Sequence, residues 1–251
     1  TILLVLIPSL LVMVIYTISQ INIAKQKNLE QISQRVYSQE RLIDYWIGER
    51  LTDVRKLSQL DDFRTLNYQQ MNDILAIMQQ GSKNFDSLSY IDKDGFFKMS
   101  TLRTGIKHPS ASHQPYFEAA LAGKDYISDV VIGRNSNLPI INFSSPIFDY
   151  DGNFQGLLLG SVRTTTLEIL LHDNWFGETG EICLVNREGL FLTEPRFSKV
   201  LLEKGLVKDT AILKHKISDD AFRNISLDKT STASWINYRG EKVIGAYQHI
   251  P

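Results

Sequence analysis

Between residues 103 and 161 the chain interleaves hydrogen-bonding and aromatic side chains with apolar ones: Arg103, His113, Gln114, Tyr116, Phe117, Tyr126, Ser128, Arg134, Asn142, Ser144 and Ser161. The chemistry open to them is recognition. Amides, hydroxyls and guanidiniums set among apolar residues suit a mostly apolar small-molecule pocket with a few converging polar groups. Tyr126 and Ser128 share one face of an extended segment, as do Asn142 and Ser144 on an otherwise apolar run. A polar pair buried in such a run needs partners; a ligand, a sheet neighbour or water would each serve. Arg103 and Arg134 can pair with a ligand carboxylate, or be solvated in their loops. His113 and Gln114 open a short helix, where polar side chains also cap free backbone amides, and Pro115 suits its first turn. Tyr116 and Phe117 are adjacent and face different sides of that helix, one toward the core and one toward the pocket.

Signatures of catalysis are absent. The sequence has no Gly-x-Ser-x-Gly, no His-Glu-x-x-His, no phosphate loop and no Gly-x-Gly-x-x-Gly. His108, His113, His172, His215 and His249 lack metal-ligand spacing. Cys183 is the single cysteine, so no intrachain disulfide or cysteine metal cluster is possible. No metal and no cofactor are expected. A hydrolase would need His113 in contact with Ser128 or Ser144. The charge is almost balanced, 27 basic against 28 acidic residues, which gives no reason to expect a nucleic-acid partner.

Holding these groups together calls for a sheet. Residues 138–149 and 154–162 read as long strands joined by Asp151-Gly152-Asn153. Residues 85–91 and 96–101 read as a hairpin around Asp92-Lys93-Asp94-Gly95. Helices are predicted over 67–80, capped by Asn67, and over 164–172, opened by threonines. A second strand block follows at 180–185 and 190–193 around Asn186-Arg187-Glu188-Gly189. An irregular helical region covers 197–221, and a last hairpin covers 230–237 and 242–250. The hairpins recur in pairs, which predicts two similar α+β modules in tandem, each an antiparallel sheet with helices on one side.

Ahead of the modules, residues 1–18 carry no charge and read as a transmembrane helix; a trimmed signal peptide is the rival reading. From 22 to 61, Leu29, Ile32, Val36, Ile43, Leu51, Val54 and Leu57 fall at helical steps. They predict a long stalk helix, continuous with the span, that packs along its own domain and pairs with a second subunit. The expected parts are therefore a membrane helix (1–18), a stalk (19–61), a membrane-distal module (62–172) and a truncated membrane-proximal module (173–251), all a piece of a longer protein.

This order resembles the double Cache sensor domain of bacterial and archaeal receptors, from about the stalk helix to Pro251. Its most specific part is Gln114-Pro115-Tyr116-Phe117, followed by Ala119-Ala120-Leu121-Ala122-Gly123-Lys124 and Tyr126-Ile127-Ser128. The resemblance implies two PAS-like modules on a long N-terminal helix, facing the periplasm or exterior, with a small ligand in the distal module. It implies no enzyme in this fragment, and a second span with a kinase, cyclase or chemotaxis output module after Pro251. In the amino-acid-binding subgroup an arginine precedes the Pro-aromatic-aromatic triplet. Two aspartates follow, one after the next strand and one at the end of the last strand. Gln114, Gly133 and Ser161 stand at those three places, so the carboxylate clamp and both ammonium acceptors are missing. The expectation is a small-molecule sensor whose ligand is not a standard amino acid. The competing expectation is a ligand-free dimerisation module, its cup packed solid by Tyr116, Tyr126 and Ile141.

Overall fold

The structure is a computed structural model that describes residues 2–82, 84–172, 177–225 and 231–250, with side chains from Leu10 onward except at Ser82, His172, Asn224 and Ser231. The chain forms two compact units, one of Ile43–Lys216 and one of Thr1–Leu42 with Ile217–Pro251. A helix, α1 (Ile2–Ser58), supplies residues to both. Among the described residues no helix is long and apolar enough to cross a membrane. The first half of the uncharged run 1–18 lies outside the described side chains.

In the unit Ile43–Lys216, α1 is followed by α2 (Asp61–Arg64) and α3 (Tyr68–Ser82), then by β1 (Ser87–Asp92) and β2 (Phe97–Ser100). After a loop come α4 (Pro115–Leu121), the short strands β3 (Tyr126–Ile127) and β4 (Val131–Ile132), and the long strands β5 (Pro139–Phe148) and β6 (Phe154–Arg163). The strands form one antiparallel sheet in the order β2-β1-β6-β5-β3, with β4 also on β5. Alternation along the strands divides it into two faces. One face packs on α1: Phe143 meets Trp46 edge-on at 6.1 Å, and the Ser145 and Ser58 hydroxyls are hydrogen-bonded at 3.1 Å. Gly160 lies so close to this helix layer that a Cβ there would sit 2.5 Å from Phe85 and 3.0 Å from Val54. Small size, not backbone freedom, explains this glycine. Along the other face Tyr116 and Phe117 of α4 pack into a buried cluster with Leu157, Leu159 and Ala120. Because both faces are covered, β5 and β6 are buried almost end to end, and both read as nearly continuous apolar runs.

Helix α5 (Thr164–His172) leaves β6 directly, and α6 (Ser198–Glu203) lies later in the same unit. The strand block predicted at 180–193 is not a ladder. It consists of the isolated bridges Val185↔Phe191 and Leu190↔Lys216, while buried Phe191 stacks on His215 at 6.3 Å. Backbone bonds accompany these bridges: Asn186 N donates to the Leu190 carbonyl at 2.9 Å, Leu192 N to the Leu184 carbonyl at 2.8 Å and Phe191 N to the His215 carbonyl at 3.0 Å, while Thr193 Oγ1 accepts from Leu184 N. The other unit contains α7 (Asp219–Asn224), capped by Ser218, and the hairpin of β7 (Ser231–Ile236) and β8 (Lys242–Tyr247).

One turn is built four times with the same bonds. Asp92, Asp149, Asn186 and Asn237 each accept, through Oδ1, the backbone N–H groups two and four residues on. The residue three on is a glycine at positive φ in every case: Gly95, Gly152, Gly189 and Gly240. A left-handed residue closing an Asx-type turn favours glycine.

Candidate functional site

The sheet face away from α1 carries a cavity of about 400 Å³. Strand register builds its wall. Ser87 lies opposite Ser161, which lies opposite Asn142 on the next strand; Ser89 lies opposite Leu159, and Ile140 opposite Arg163. Tyr126 and Ser128 continue the row beyond β5, the latter through Ser128 N to the Asn142 carbonyl at 2.9 Å. Two loops, 101–114 and 133–138, form the rim. They are fastened together by Asn135, whose Oδ1 accepts from Lys107 N at 2.9 Å and His108 N at 2.8 Å.

Eight residues singled out in the sequence line this cavity: Arg103, Gln114, Tyr116, Tyr126, Ser128, Arg134, Asn142 and Ser161. Three lie elsewhere. His113 is exposed at the start of α4 and outside the wall. Phe117 is buried, one helix position from Tyr116, and meets Phe154 edge-on at 6.1 Å. Ser144 faces the cavity side of β5 but is fully buried beneath it, its Oγ without a hydrogen-bond partner. Neither Ser128 nor Ser144 hydrogen-bonds to a histidine among the described residues; Ser128 Oγ donates to the Asp129 carbonyl at 2.7 Å. The pairing of base and nucleophile that a hydrolase needs is not formed by these groups.

Gln114 is the N-cap residue of α4, yet its side chain makes no capping bond and turns to the cavity. The helix start is served instead by the Gln114 carbonyl, which accepts from Phe117 N at 2.9 Å and Glu118 N at 3.1 Å, and by Pro115, which has no N–H to satisfy. Ser161 Oγ donates to Asn142 Oδ1 at 2.7 Å, so these two buried polar groups satisfy each other as sheet neighbours. Burial pushes the Tyr116 hydroxyl up to about 12, with the nearby Arg134 guanidinium acting in the opposite sense. Tyr116 is therefore a neutral hydroxyl across the physiological range.

The structure adds residues that the sequence did not single out, chiefly Asp86, Ser87, Ser89 and Arg163. Asp86 Oδ2 accepts from Arg163 N at 2.6 Å, and its Oδ1 pairs with Arg163 Nε. This ties the start of β1 to the end of β6. Gly133, also in the wall, has no room for a side chain without displacement: a Cβ would lie 2.4 Å from Ser136 Oγ and 2.7 Å from Ile140 Cδ1.

An antiparallel sheet with a polar–apolar cavity on one face and a long helix on the other makes this an α+β module. The chain belongs to the Cache domain family in its double form, whose family model matches residues 20–251. Among curated proteins none matches it. Several solved structures share the fold. The ligand-binding domain of Pseudomonas fluorescens chemoreceptor CtaA in complex with L-serine is 15% identical, with a TM-score of 0.64 over 88% of this chain and 89% of that one. The ligand-binding domain of Pseudomonas aeruginosa PAO1 amino acid chemoreceptor PctC, in complex with GABA, is 16% identical, with a TM-score of 0.59 over 84% and 89%. That of Campylobacter jejuni chemoreceptor Tlp3, in complex with 4-methylisoleucine, is 14% identical, with a TM-score of 0.63 over 86% and 84%. At these identities the likeness is one of fold.

Proposed function

We propose that this chain is the extracytoplasmic small-molecule-sensing part of a dimeric transmembrane signal-transduction receptor, and that the 400 Å³ cavity is its ligand site. The cavity is the observation that carries the reading. It lies in the range of small-molecule pockets and has their make-up, apolar walls with a few convergent polar groups. The eight cavity-lining residues named from the sequence are the proposed ligand contacts. Residues 62–172 form the proposed membrane-distal module, and 173–251 the membrane-proximal one. The fourfold turn at Asp92, Asp149, Asn186 and Asn237 supports this tandem division, two turns falling in each half. The uncharged run 1–18 supports a membrane anchor. Tyr37, Leu42 and Tyr45 are exposed on α1 and support pairing with a second copy.

In this reading, ligand draws the two rim loops and α4 onto the sheet. The opposite sheet face bears on α1 through Phe143, Ser145 and Gly160, so a shift of the strands biases the position of the helix between two states. A thermal-shift screen of the chain against a metabolite panel tests the site. Ligands are expected to raise the melting temperature of the wild type and to lose that effect in Gln114→Ala and Tyr116→Ala. Hits that stabilise both variants as well as the wild type would remove the cavity as the site.

A further inference from the structure

The charges in the cavity wall are unsuited to an amino acid and suited to an acid without the amino group. Three guanidiniums line the cavity, Arg103, Arg134 and Arg163, against a single carboxylate, Asp86. That carboxylate is engaged: one oxygen accepts from Arg163 N at 2.6 Å and the other pairs with the Arg163 guanidinium. Arg103 and Arg134 form no ion pair among the described residues. Arg134 uses one nitrogen on the Ser110 carbonyl at 3.3 Å, and a guanidinium carries five N–H donors. The wall thus presents two uncompensated cations at its rim loops and no carboxylate free to receive an ammonium. The Asn142 Oδ1 in the wall already accepts from Ser161.

An ammonium brought here would lose water and meet a net positive field, which disfavours its charged form twice over. A carboxylate would meet guanidiniums able to bind both its oxygens. Between these charges and the polar row on the sheet the wall carries apolar side chains: Phe97, Leu102, Ile106, Val131, Ile132 and Leu138. We infer that the cavity takes a small carboxylate with an apolar body and no ammonium group, such as a 2-oxo, 2-hydroxy or unsubstituted alkyl or aryl acid. The carboxylate faces Arg103 and Arg134, and the apolar body fills the space between the rim loops and the sheet. This inference rests on the cavity being the sensing site, and narrows what that site accepts.

Matched pairs that differ only in the amino group give the test. 4-Methyl-2-oxopentanoate is compared with L-leucine, and 3-phenylpropanoate with L-phenylalanine, by calorimetric titration of the full chain in detergent micelles. In at least one pair the acid without the amino group is expected to bind tenfold or more tightly than its amino partner. Arg103→Gln and Arg134→Gln should each weaken that binding by roughly ten- to hundredfold, the scale of one charge-assisted hydrogen bond, and raised salt should weaken it too. Both arginines are exposed and outside the helices and strands, so the variants keep the fold, checked by an unchanged melting temperature without ligand. Equal or tighter binding of the amino acids, lost in Tyr116→Ala, overturns the ligand class and leaves the cavity as the sensing site. Binding of the acids that neither arginine variant alters also overturns it. Absence of binding by every member overturns it as well, and the wider thermal-shift panel then decides whether the sensing reading falls with it.

Discussion

Ser144 and Ser145 are consecutive, both buried, and on opposite faces of β5, and the same substitution should move stability in opposite directions at the two. Ser145 Oγ is hydrogen-bonded to Ser58 Oγ of α1. Ser145→Ala removes that bond at a net cost of about 0.5–1.5 kcal/mol. The cost stays at this scale because the Ser58 hydroxyl has a second acceptor, the Arg55 carbonyl at 2.9 Å. Ser144 lies opposite Tyr126 and Leu159, under the cavity, and its hydroxyl is buried without a partner. An unsatisfied buried polar group costs about 1–3 kcal/mol, so Ser144→Ala is expected to stabilise by about 1 kcal/mol. The two variants should then differ by about 2 kcal/mol. At about 2–4 °C per kcal/mol for a unit of 150–250 residues, their melting temperatures should differ by about 4–8 °C, with wild type between them. Differential scanning calorimetry measures this directly. Ser144→Ala melting below wild type would show that its hydroxyl is satisfied in solution. If the order of the two variants were reversed, the facing assigned to β5, and the cavity wall built on it, would be wrong.

Three further outcomes follow from single contacts. Gly160→Ala should destabilise by about 1–3 kcal/mol, the usual cost of overpacking, because its Cβ would lie against Phe85 and Val54; urea unfolding with an unchanged m-value checks it. Asp86→Ala should cost about 1–2 kcal/mol, since it releases both the backbone N–H and the guanidinium of half-exposed Arg163; the same unfolding curve reads it. Hydrogen bonds from the Asn153 side chain and backbone, with others from Gln155 and Asp151, hold the Asp149 carboxylate below its usual range. A depressed carboxylate adds stability above its unfolded pKa, near 4, and loses it as pH falls through the lower folded value. The gap in melting temperature between wild type and Asp149→Asn should therefore be full at pH 7 and close as pH drops below about 4.

Local pattern carried most of the fold of Ile43–Lys216. Apolar runs bounded by Asx-Gly turns located β1, β2, β5 and β6 within a few residues, and threonines at 164–166 marked the start of α5. The block 180–193 turns where its sequence places the turn, and its arms meet at the bridge Val185↔Phe191, but they do not extend into strands; Leu190 bridges to Lys216, a partner that no local pattern announces. The site divides along the same line. Gln114, Tyr116, Tyr126, Ser128, Asn142 and Ser161 lie on neighbouring elements of one stretch, so spacing brought them together on paper. Asp86, just before β1, and Arg163, at the end of β6, are 77 residues apart and meet because β1 and β6 pair, and no local signal joins them. For Ser144, alternation correctly gives its face, but depth along the strand decides between cavity wall and buried floor. Phe117 shows the same limit on a helix, where one step of rotation carries it from the cavity to Phe154.

The central claim is that a small molecule is sensed in the cavity beneath the rim loops. Hydrogen–deuterium exchange of the full chain, with and without a saturating hit from the thermal-shift panel, tests it most directly. Protection of amides in residues 102–108 and 126–138, where the rim loops and β3–β4 enclose the cavity, is the predicted result. Protection confined to Ile217–Pro251, with the cavity segments unchanged, would contradict it.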